Sequence, residues 1–203
     1  MRVVMIAPPG AGKGTQGALL AAHLGVPRIV TGELFRDHVA RQTALGRAVR
    51  DHMDHGRLVP DHIVLDMVGD ALTSARATGG GYVLDGVPRT MTQARAVHTI
   101  ARRLDMTTDV ALHLDIGDDE ARRRLLARAA AERRRDDTPD VIDRRLRLYH
   151  RATAPVLGWY RRFGNLVSVD GARSADRVWA AVQAAIGVPN QNPDTVAIAA
   201  DVL

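Results

Sequence analysis

A glycine-rich segment near the start of the chain constrains its fold more than any other feature. The apolar run Val3–Ile6 precedes the segment, and a helical pattern over residues 15–24 follows it. The segment itself, residues 7–16, reads Ala-Pro-Pro-Gly-Ala-Gly-Lys-Gly-Thr-Gln. Backbone amides at the start of a helix can converge on phosphate oxygens, and glycines permit the tight turn and the close approach. The order of strand, glycine-rich loop and helix therefore predicts a phosphate-binding loop in an α/β domain.

The loop contains Lys13, which is the only lysine among 28 lysine and arginine residues. Its ammonium group is a compact charge on a flexible stem, and a planar guanidinium does not replace it in a tight phosphate pocket. The strict loop pattern has a glycine where this chain has Ala7, and it places no residue such as Gly14 between lysine and the hydroxyl residue. An ordinary Gly/Pro turn is the alternative interpretation. The single lysine favours a phosphate loop.

Apolar runs and helical patterns alternate along the rest of the chain. Further strands are predicted at residues 28–30, 82–84, 110–114 and 165–169. Helices are predicted at residues 33–41, 45–55, 61–76 (with Asp61 as cap), 91–102, 118–130, 139–162 (kinked at Pro155) and 174–186. This alternation predicts a five-stranded parallel sheet with helices on both faces. We expect one domain over residues 1–186, and a tail at 187–203 that is an appendage outside it.

Composition limits the classes of function. The net charge of +5 and the pI near 10.5 suit anionic partners, although arginine richness alone is weak evidence for nucleic-acid binding. The chain has no cysteine, which excludes disulfides and cysteine-ligated zinc. No apolar run approaches the roughly 20 residues of a membrane span. We expect a cytoplasmic, monomeric protein without zinc that contacts neither membrane nor nucleic acid.

The form Gly-Lys-Gly-Thr-Gln resembles the nucleoside monophosphate kinases, and the short-lid form of the adenylate kinase family in particular. Other motifs of that family recur in order along the chain. Residues 31–36 are similar to its acceptor motif Thr-Gly-Asp-x-x-Arg, and residues 56–60 to the end of its AMP-binding insert. Residues 84–90 with Gln93 resemble its Asp-Gly-Phe-Pro-Arg…Gln signature, and residues 128–145 carry arginines and an acidic pair similar to its lid.

The resemblance implies the reaction ATP + AMP ⇌ 2 ADP with Mg²⁺, an insert at about 31–60 and a lid at about 127–137. It implies that the groups acting in catalysis are Lys13, Asp85, Arg89, Arg128, Arg134 and Arg145. It places ATP on Gly10, Ala11, Gly12, Lys13, Gly14, Thr15, Arg124, Arg128 and Gly171. It places AMP on Thr31, Arg36, Arg57, Leu58, Val59, Gly86, Val87, Pro88, Arg89, Gln93, Arg134 and Arg145.

The chemistry asks for such residues independently of the resemblance. Phosphoryl transfer needs two anionic substrates in line and neutralisation of the charge on the transferring group. Arg36 and Arg89 suit a monophosphate, because guanidinium forks bind phosphate bidentately. Arg128, Arg134 and Arg145 would converge on the transferring group when a lid closes.

Two further roles concern the adenine of ATP and the metal. Arg124 precedes Arg128 by four residues on one helix face, and the resemblance implies that it stacks on the adenine of ATP. Asp85 is a natural partner for the waters of Mg²⁺, and Glu33 could assist where the family has aspartate. The remaining arginines of this region are expected to be solvated surface charges; they are Arg122, Arg123, Arg133 and Arg135.

The chain departs from the family pattern at Ala7, at Val87 in place of phenylalanine and at Ala129 in place of a lid glycine. These departures leave a secondary, pathway-specific kinase as a possibility. A kinase of the same fold for UMP, CMP or another monophosphate is the nearest alternative. A basic nucleic-acid-binding protein on a vestigial kinase fold is a more remote one. Thr31 and Gln93 favour adenine as the acceptor base, because pyrimidine-specific relatives tend to carry alanine and asparagine there.

Overall fold

The computed structural model describes residues 1–132 and 138–187. Within these ranges the strands are β1 (Arg2–Ile6), β2 (Arg28–Val30), β3 (Tyr82–Asp85), β4 (Val110–Asp115) and β5 (Leu166–Asp170). They form one sheet in the order β2-β3-β1-β4-β5, and every neighbouring pair is parallel. The predicted five-stranded parallel sheet is confirmed.

Helices connect the strands close to the predicted positions. They are α1 (Lys13–Leu24), α2 (Thr31–Ala40), α3 (Ala44–Asp54), α4 (Asp61–Ala77), α5 (Met91–Arg103), α6 (Asp118–Glu132), α7 (Pro139–Leu148), α8 (Ala154–Arg162) and α9 (Ala175–Ile186). The predicted insert range 31–60 thus comprises α2, α3 and the loop that leads to α4. Of the predicted lid range 127–137, residues 127–132 continue α6, and residues 133–137 lie outside the described part of the chain. The tail from residue 188 onward also lies outside it.

The sheet is buried on both faces, which explains why its strands are apolar runs instead of alternating patterns. Along β1, Val4 and Ile6 belong to one hydrophobic core, and Val3 and Met5 belong to the other. The first core is completed by α4, α5 and α8, and the second by α1, α6 and α9. Because β1 is central, the loop that follows it emerges in the middle of the sheet edge. Ligands of open α/β sheets bind at this carboxyl edge of the strands.

Two local predictions were wrong. The helix predicted at 139–162 is two helices, because a π-helical turn at Tyr149–Thr153 separates α7 from α8. Pro155 lies in the first turn of α8, where its missing N–H is tolerated. The regular α-helix is therefore interrupted before Pro155, and the proline is not the centre of a kink. Asp61 is not a cap: it is the first residue of α4, and Pro60 stands at the N-cap position.

The π-helical turn is tied to the sheet through a buried histidine. His113 of β4 has its Nε2 atom 3.0 Å from the hydroxyl of Tyr149 and its Nδ1 atom 3.4 Å from the hydroxyl of Ser168 on β5. Burial lowers the pKa of His113; Asp115 opposes this shift and Arg161 adds to it. The neutral imidazole is therefore the form that the fold prefers.

We expect His113→Gln to change the pH dependence of stability. The unfolded chain takes up a proton at an ordinary histidine pKa of about 6.5, whereas the folded protein resists it. The contribution of neutral His113 to the free energy of unfolding is thus fully present above that pH, and it is lost as the pH falls through the folded-state pKa. Urea unfolding between pH 8 and pH 5 should show a shallower acid-side loss in His113→Gln than in the wild type. The exposed His62→Gln is the control, and a variant that loses stability as steeply as the wild type would contradict the prediction.

Candidate active site

The phosphate loop lies between β1 and α1, and two of its glycines have left-handed backbone. Gly10 has φ +87° and Gly12 has φ +82°, a region that L-residues with a Cβ atom rarely adopt. A Cβ atom on Gly10 would also lie 2.6 Å from the carbonyl oxygen of Ala121 in α6. Gly12 is the N-cap of α1, and Lys13 is its first residue. The first amides of α1 have no partner within the helix and, with the helix dipole, form a site for an anion.

Ala7 departs from the strict loop pattern without strain. It is not among the described non-glycine residues with positive φ, and its side chain is buried in the core under β1. Alanine therefore fits a position where the pattern has glycine.

Asp85 ends β3 beside the loop and holds two cations. Its carboxylate lies 3.0 Å from Nζ of Lys13 through one oxygen and 3.2 Å from an Nη atom of Arg28 through the other. Asp85 is only 4% exposed. Burial alone would raise the pKa of this carboxyl, but Lys13 and then Arg28 outweigh burial and hold the pKa below its ordinary value. Asp85 is therefore an anion at neutral pH.

Sequence reasoning missed Arg28. The side chain also lies 3.4 Å from Glu33 of α2, so that one guanidinium joins two carboxylates at the loop. The alternation of side chains along β2 could have indicated the position of Arg28. Ile29 packs in the core, whereas Arg28 and Val30 point to the other side of the strand and line the cavity.

One cavity of about 500 Å³ connects the phosphate loop with a group of arginines. Its lining includes the loop residues Gly10–Thr15 together with Arg28, Glu33, Arg36, Asp85, Arg89, Arg124, Arg128 and Arg145. The structure thus brings together the predicted phosphate ligands from five separate segments of the chain. Arg134, predicted to join them, lies outside the described residues.

Arg89 is fixed within this group by its backbone and its side chain. Its Nε atom donates to the carbonyl of Gly86 at 2.7 Å, and its own carbonyl accepts from the hydroxyl of Thr153 in the π-helical turn at 3.0 Å. The side chain of Arg89 is exposed to solvent within the cavity. Desolvation by the protein around the cavity, followed by the charges of Arg145 and Arg36, lowers the pKa of Arg89, and the carboxylate of Asp85 opposes the shift. The guanidinium stays protonated, so the group is a concentrated positive charge.

A second cavity of about 100 Å³ adjoins the first on the side of α2 and α3. Its lining includes Thr31, Phe35, Met53, Arg57, Leu58, Val59, Gly86 and Gln93. Gly86 has φ +95°, and a Cβ atom there would lie 2.6 Å from the hydroxyl of Thr31. Arg57 lines the cavity, but its guanidinium pairs with Asp51 of α3. The predicted ligand Val87 is not in the lining of either cavity: its side chain is buried in the core.

Gln93 has a fixed orientation in the second cavity. Its Oε1 atom accepts from the backbone N–H of Arg89 at 2.7 Å, and its Nε2 atom donates to Asp61 at 2.7 Å. Sequence reasoning assigned Asp61 a capping role and missed this contact, for which the sequence offers no local signal because 32 residues separate the partners.

Arg124 and Gly171 lie together at the outer end of the loop. The guanidinium of Arg124 donates to Glu120 at 2.7 Å and to the carbonyl of Gly171 at 2.8 Å. The hydrogen bonds from Arg123 and Arg124 lower the pKa of Glu120 to about 2. These contacts use the edge of the guanidinium, whose flat faces are the surfaces that stack on rings.

Two arginines that were expected to be solvated differ from one another. Arg123 is exposed and pairs only with Glu120 of its own helix among the contacts described. Arg122 pairs with Asp143 and so joins α6 to α7 on the two sides of the lid range. Arg133 and Arg135 lie outside the described residues.

No group of three or more histidine, aspartate or glutamate side chains within residues 1–132 and 138–187 is arranged to hold a metal ion. The carboxylates of Asp85 and Glu33 nevertheless suit a metal that keeps its water shell, since both contact the guanidinium of Arg28 and line the cavity that contains the loop. Across the same residues, none of the helices combines the length and apolar content that a membrane crossing requires.

The fold and the cavity define a phosphate-loop nucleotide kinase: a lysine at the start of α1 faces several arginines across a space for two anions. Comparison with known proteins narrows the class. The sequence model of the adenylate kinase family matches residues 5–165. The chain is similar to the adenylate kinase of Kocuria rhizophila, with 45% identity over 185 residues that cover 91% of this chain and 98% of the relative. For the adenylate kinase of Thermus thermophilus the identity is 39% over 186 residues, which cover 92% and 97%.

The chain belongs to the adenylate kinase family. The predicted enzyme class, an ATP:AMP phosphotransferase, is confirmed with this membership, and so is the predicted kinase fold.

The two loop glycines should differ in their tolerance of alanine. Gly12→Ala should cost about 1 kcal/mol of stability from left-handed backbone alone, because no atom lies within 4 Å of the added Cβ. Gly10→Ala should cost about 2–4 kcal/mol, because overpacking against Ala121 adds to the backbone term. Urea unfolding of both variants gives the comparison. Equal losses would mean that α6 does not confine the loop.

Proposed function

We propose that the larger cavity holds the phosphates of ATP and AMP and that the smaller cavity holds the acceptor base. The single observation that carries this proposal is that Lys13 and the arginines line one continuous space at the carboxyl edge of the sheet. Two anionic substrates placed there would meet with their phosphates between the loop and Arg89. The γ-phosphate of ATP would then pass to AMP and give two ADP.

The ATP side consists of the phosphate loop and its lysine. The amides of residues 10–15 would bind the phosphates, and Lys13 would leave Asp85 to contact them. Arg124 would present a face to the adenine, and Gly171 would lie beside it, since Arg124 is held there by its edge hydrogen bonds. Gly14 and Thr15 would contribute amides at the first turn of α1.

On the AMP side, Arg36 and Arg89 would bind the acceptor phosphate. Bidentate guanidinium contacts would hold the phosphate in one position and would also balance its negative charge. The backbone of Arg57, Leu58 and Val59, with Gly86 and Pro88, would enclose the base next to Gln93. Val87 would support this loop from the core without touching the nucleotide.

The transfer step needs little covalent chemistry from the protein. Arg128 and Arg145 would neutralise the charge that develops on the transferring phosphoryl group, and Arg134 would join them from the lid. Asp85 and Glu33 would accept hydrogen bonds from the waters of Mg²⁺ and so orient it. Bound Mg²⁺ supplies charge neutralisation at the phosphate oxygens. Exclusion of water when the insert and lid close would protect ATP from hydrolysis.

We also propose that the protein is a monomer and that it acts in the cytoplasm. The residues that line the two cavities form a site within a single chain, and we expect this chain to act as a monomer. Size-exclusion chromatography with light scattering would test the oligomeric state.

AMP should be the preferred acceptor. Thr31 is buried, and the amide of Gln93 is oriented by Arg89 and Asp61. The second N–H and the second oxygen lone pair of this amide would be matched to one base edge, and another base would leave them without a partner. A coupled ADP assay with ATP as donor and AMP, dAMP, GMP, UMP and CMP as acceptors measures kcat/KM for each. Gln93→Leu should reduce the advantage of AMP, with circular dichroism to confirm the fold. A higher kcat/KM for UMP or CMP than for AMP in the wild type would overturn the assignment.

Arg89→Ala should lower kcat about 10²-fold or more, because a preorganised cation in the cavity stabilises the transition state. Arg123→Ala is the matched control, since it removes the same charge from an exposed position outside the cavity. Steady-state kinetics under saturating ATP and AMP measure kcat for both variants. Comparable losses would show that general electrostatics, and not a specific site, carries the effect.

A further inference from the structure

The carboxylate of Asp85 has two cations, and the proposed reaction removes one of them. Lys13 contacts one carboxylate oxygen at 3.0 Å and Arg28 contacts the other at 3.2 Å. When ATP arrives, Lys13 has to turn to the phosphates. A buried carboxylate that loses its only cation is strongly disfavoured, so Asp85 would hold Lys13 back unless another cation stays.

We propose that Arg28 is a positioning residue for phosphoryl transfer: it keeps Asp85 paired while Lys13 serves the nucleotide. The inference rests on the proposed function, in which Lys13 contacts ATP. Arg28 binds the oxygen that faces away from Lys13. The release of Lys13 therefore frees one oxygen of Asp85 and leaves the carboxylate anchored by the other.

The position of Arg28 is supported by its surroundings. Its Nη atom also lies 3.4 Å from Glu33, so the guanidinium holds two carboxylates at once. The side chain is 19% exposed and starts from β2, which pairs with β3 in fixed register. Arg28 is thus held by the sheet and does not need to move when the loop binds phosphate.

A glycine within α1 makes room for this arginine. A Cβ atom on Gly17 would lie 3.1 Å from Nε of Arg28 and 2.9 Å from the sulfur of Met5. Glycine inside a helix is less stable than alanine by about 1 kcal/mol, and Gly17 is neither an N-cap nor a C-cap of α1. The space that it leaves is shared by the sulfur of Met5 and the side chain of Arg28, and this observation is independent of the ion pairs.

Isothermal titration calorimetry of ATP, in the absence of AMP, tests the proposal in EDTA and in excess Mg²⁺. In EDTA, Arg28→Gln should weaken ATP binding about tenfold relative to the wild type, because Asp85 loses its second partner. In Mg²⁺ the loss should be smaller, because metal-bound waters can donate to the freed oxygen. Arg28→Lys should recover part of the affinity. Arg76→Gln removes the same charge from an exposed position on α4 and should change neither constant.

The effects of Arg28→Gln and Asp85→Asn on ATP binding should also depend on one another. In an Asp85→Asn background no buried anion needs a partner, so Arg28→Gln should have little further effect on ATP binding in EDTA. Equal weakening by Arg28→Gln in both buffers, or an undiminished effect in the Asp85→Asn background, would overturn the inference. Tighter ATP binding in Arg28→Gln would overturn it as well. A wild-type chain that binds no ATP in either buffer would instead refute the proposed function.

Discussion

The contact between Lys13 and Asp85 joins the two strand ends on which the rest of the site depends. Lys13 follows β1 and Asp85 ends β3, and these strands pair side by side, with Met5 opposite Asp85. The register of the sheet therefore decides that the cation of the loop and the buried anion meet. Arg28 contacts the second oxygen of Asp85, and Arg36, Arg89 and Arg145 line the same cavity.

The arginines of the larger cavity influence one another in the free protein. The charges of Arg145 and Arg36 contribute to the lowered pKa of Arg89, and the carboxylate of Asp85 opposes this shift. Under the proposed function, an incoming phosphate would add negative charge to this preorganised cluster, and the binding energy would be realised at the position where phosphate charge develops. The fold supports the cluster from behind through Thr153, whose hydroxyl holds the carbonyl of Arg89. The π-helical turn that carries Thr153 is thus part of the site's scaffold, as such turns often are.

The sequence predicted the sheet and the phosphate loop because both have local signals. Buried parallel strands are continuous apolar runs, and Gly10 and Gly12 mark backbone that other residues avoid. The loop carbonyl contacts of Arg124 were beyond such reasoning, and so were the partners of Arg28. Which of many arginines enters a cavity depends on strand register and on the packing of distant segments. The π-helical turn was missed for a different reason. The apolar pattern of α7 and α8 continues along one helical face through the turn, so the sequence carries no mark of the interruption.

Under the proposed function, recognition of the base and of the phosphate would be coupled on the acceptor side. Gln93 accepts a hydrogen bond from the backbone N–H of Arg89 and donates one to Asp61. The carbonyl oxygen and the NH2 group of its amide are each held by one hydrogen bond, which fixes the orientation of the amide in the cavity. The guanidinium of Arg89 extends from the same residue that Gln93 holds. A shift of the amide toward a mismatched base would pull on the backbone of Arg89, and the acceptor phosphate would lose its alignment with the loop. In this arrangement, selectivity for the base would reach the transfer step through one hydrogen bond and would not rest on affinity alone.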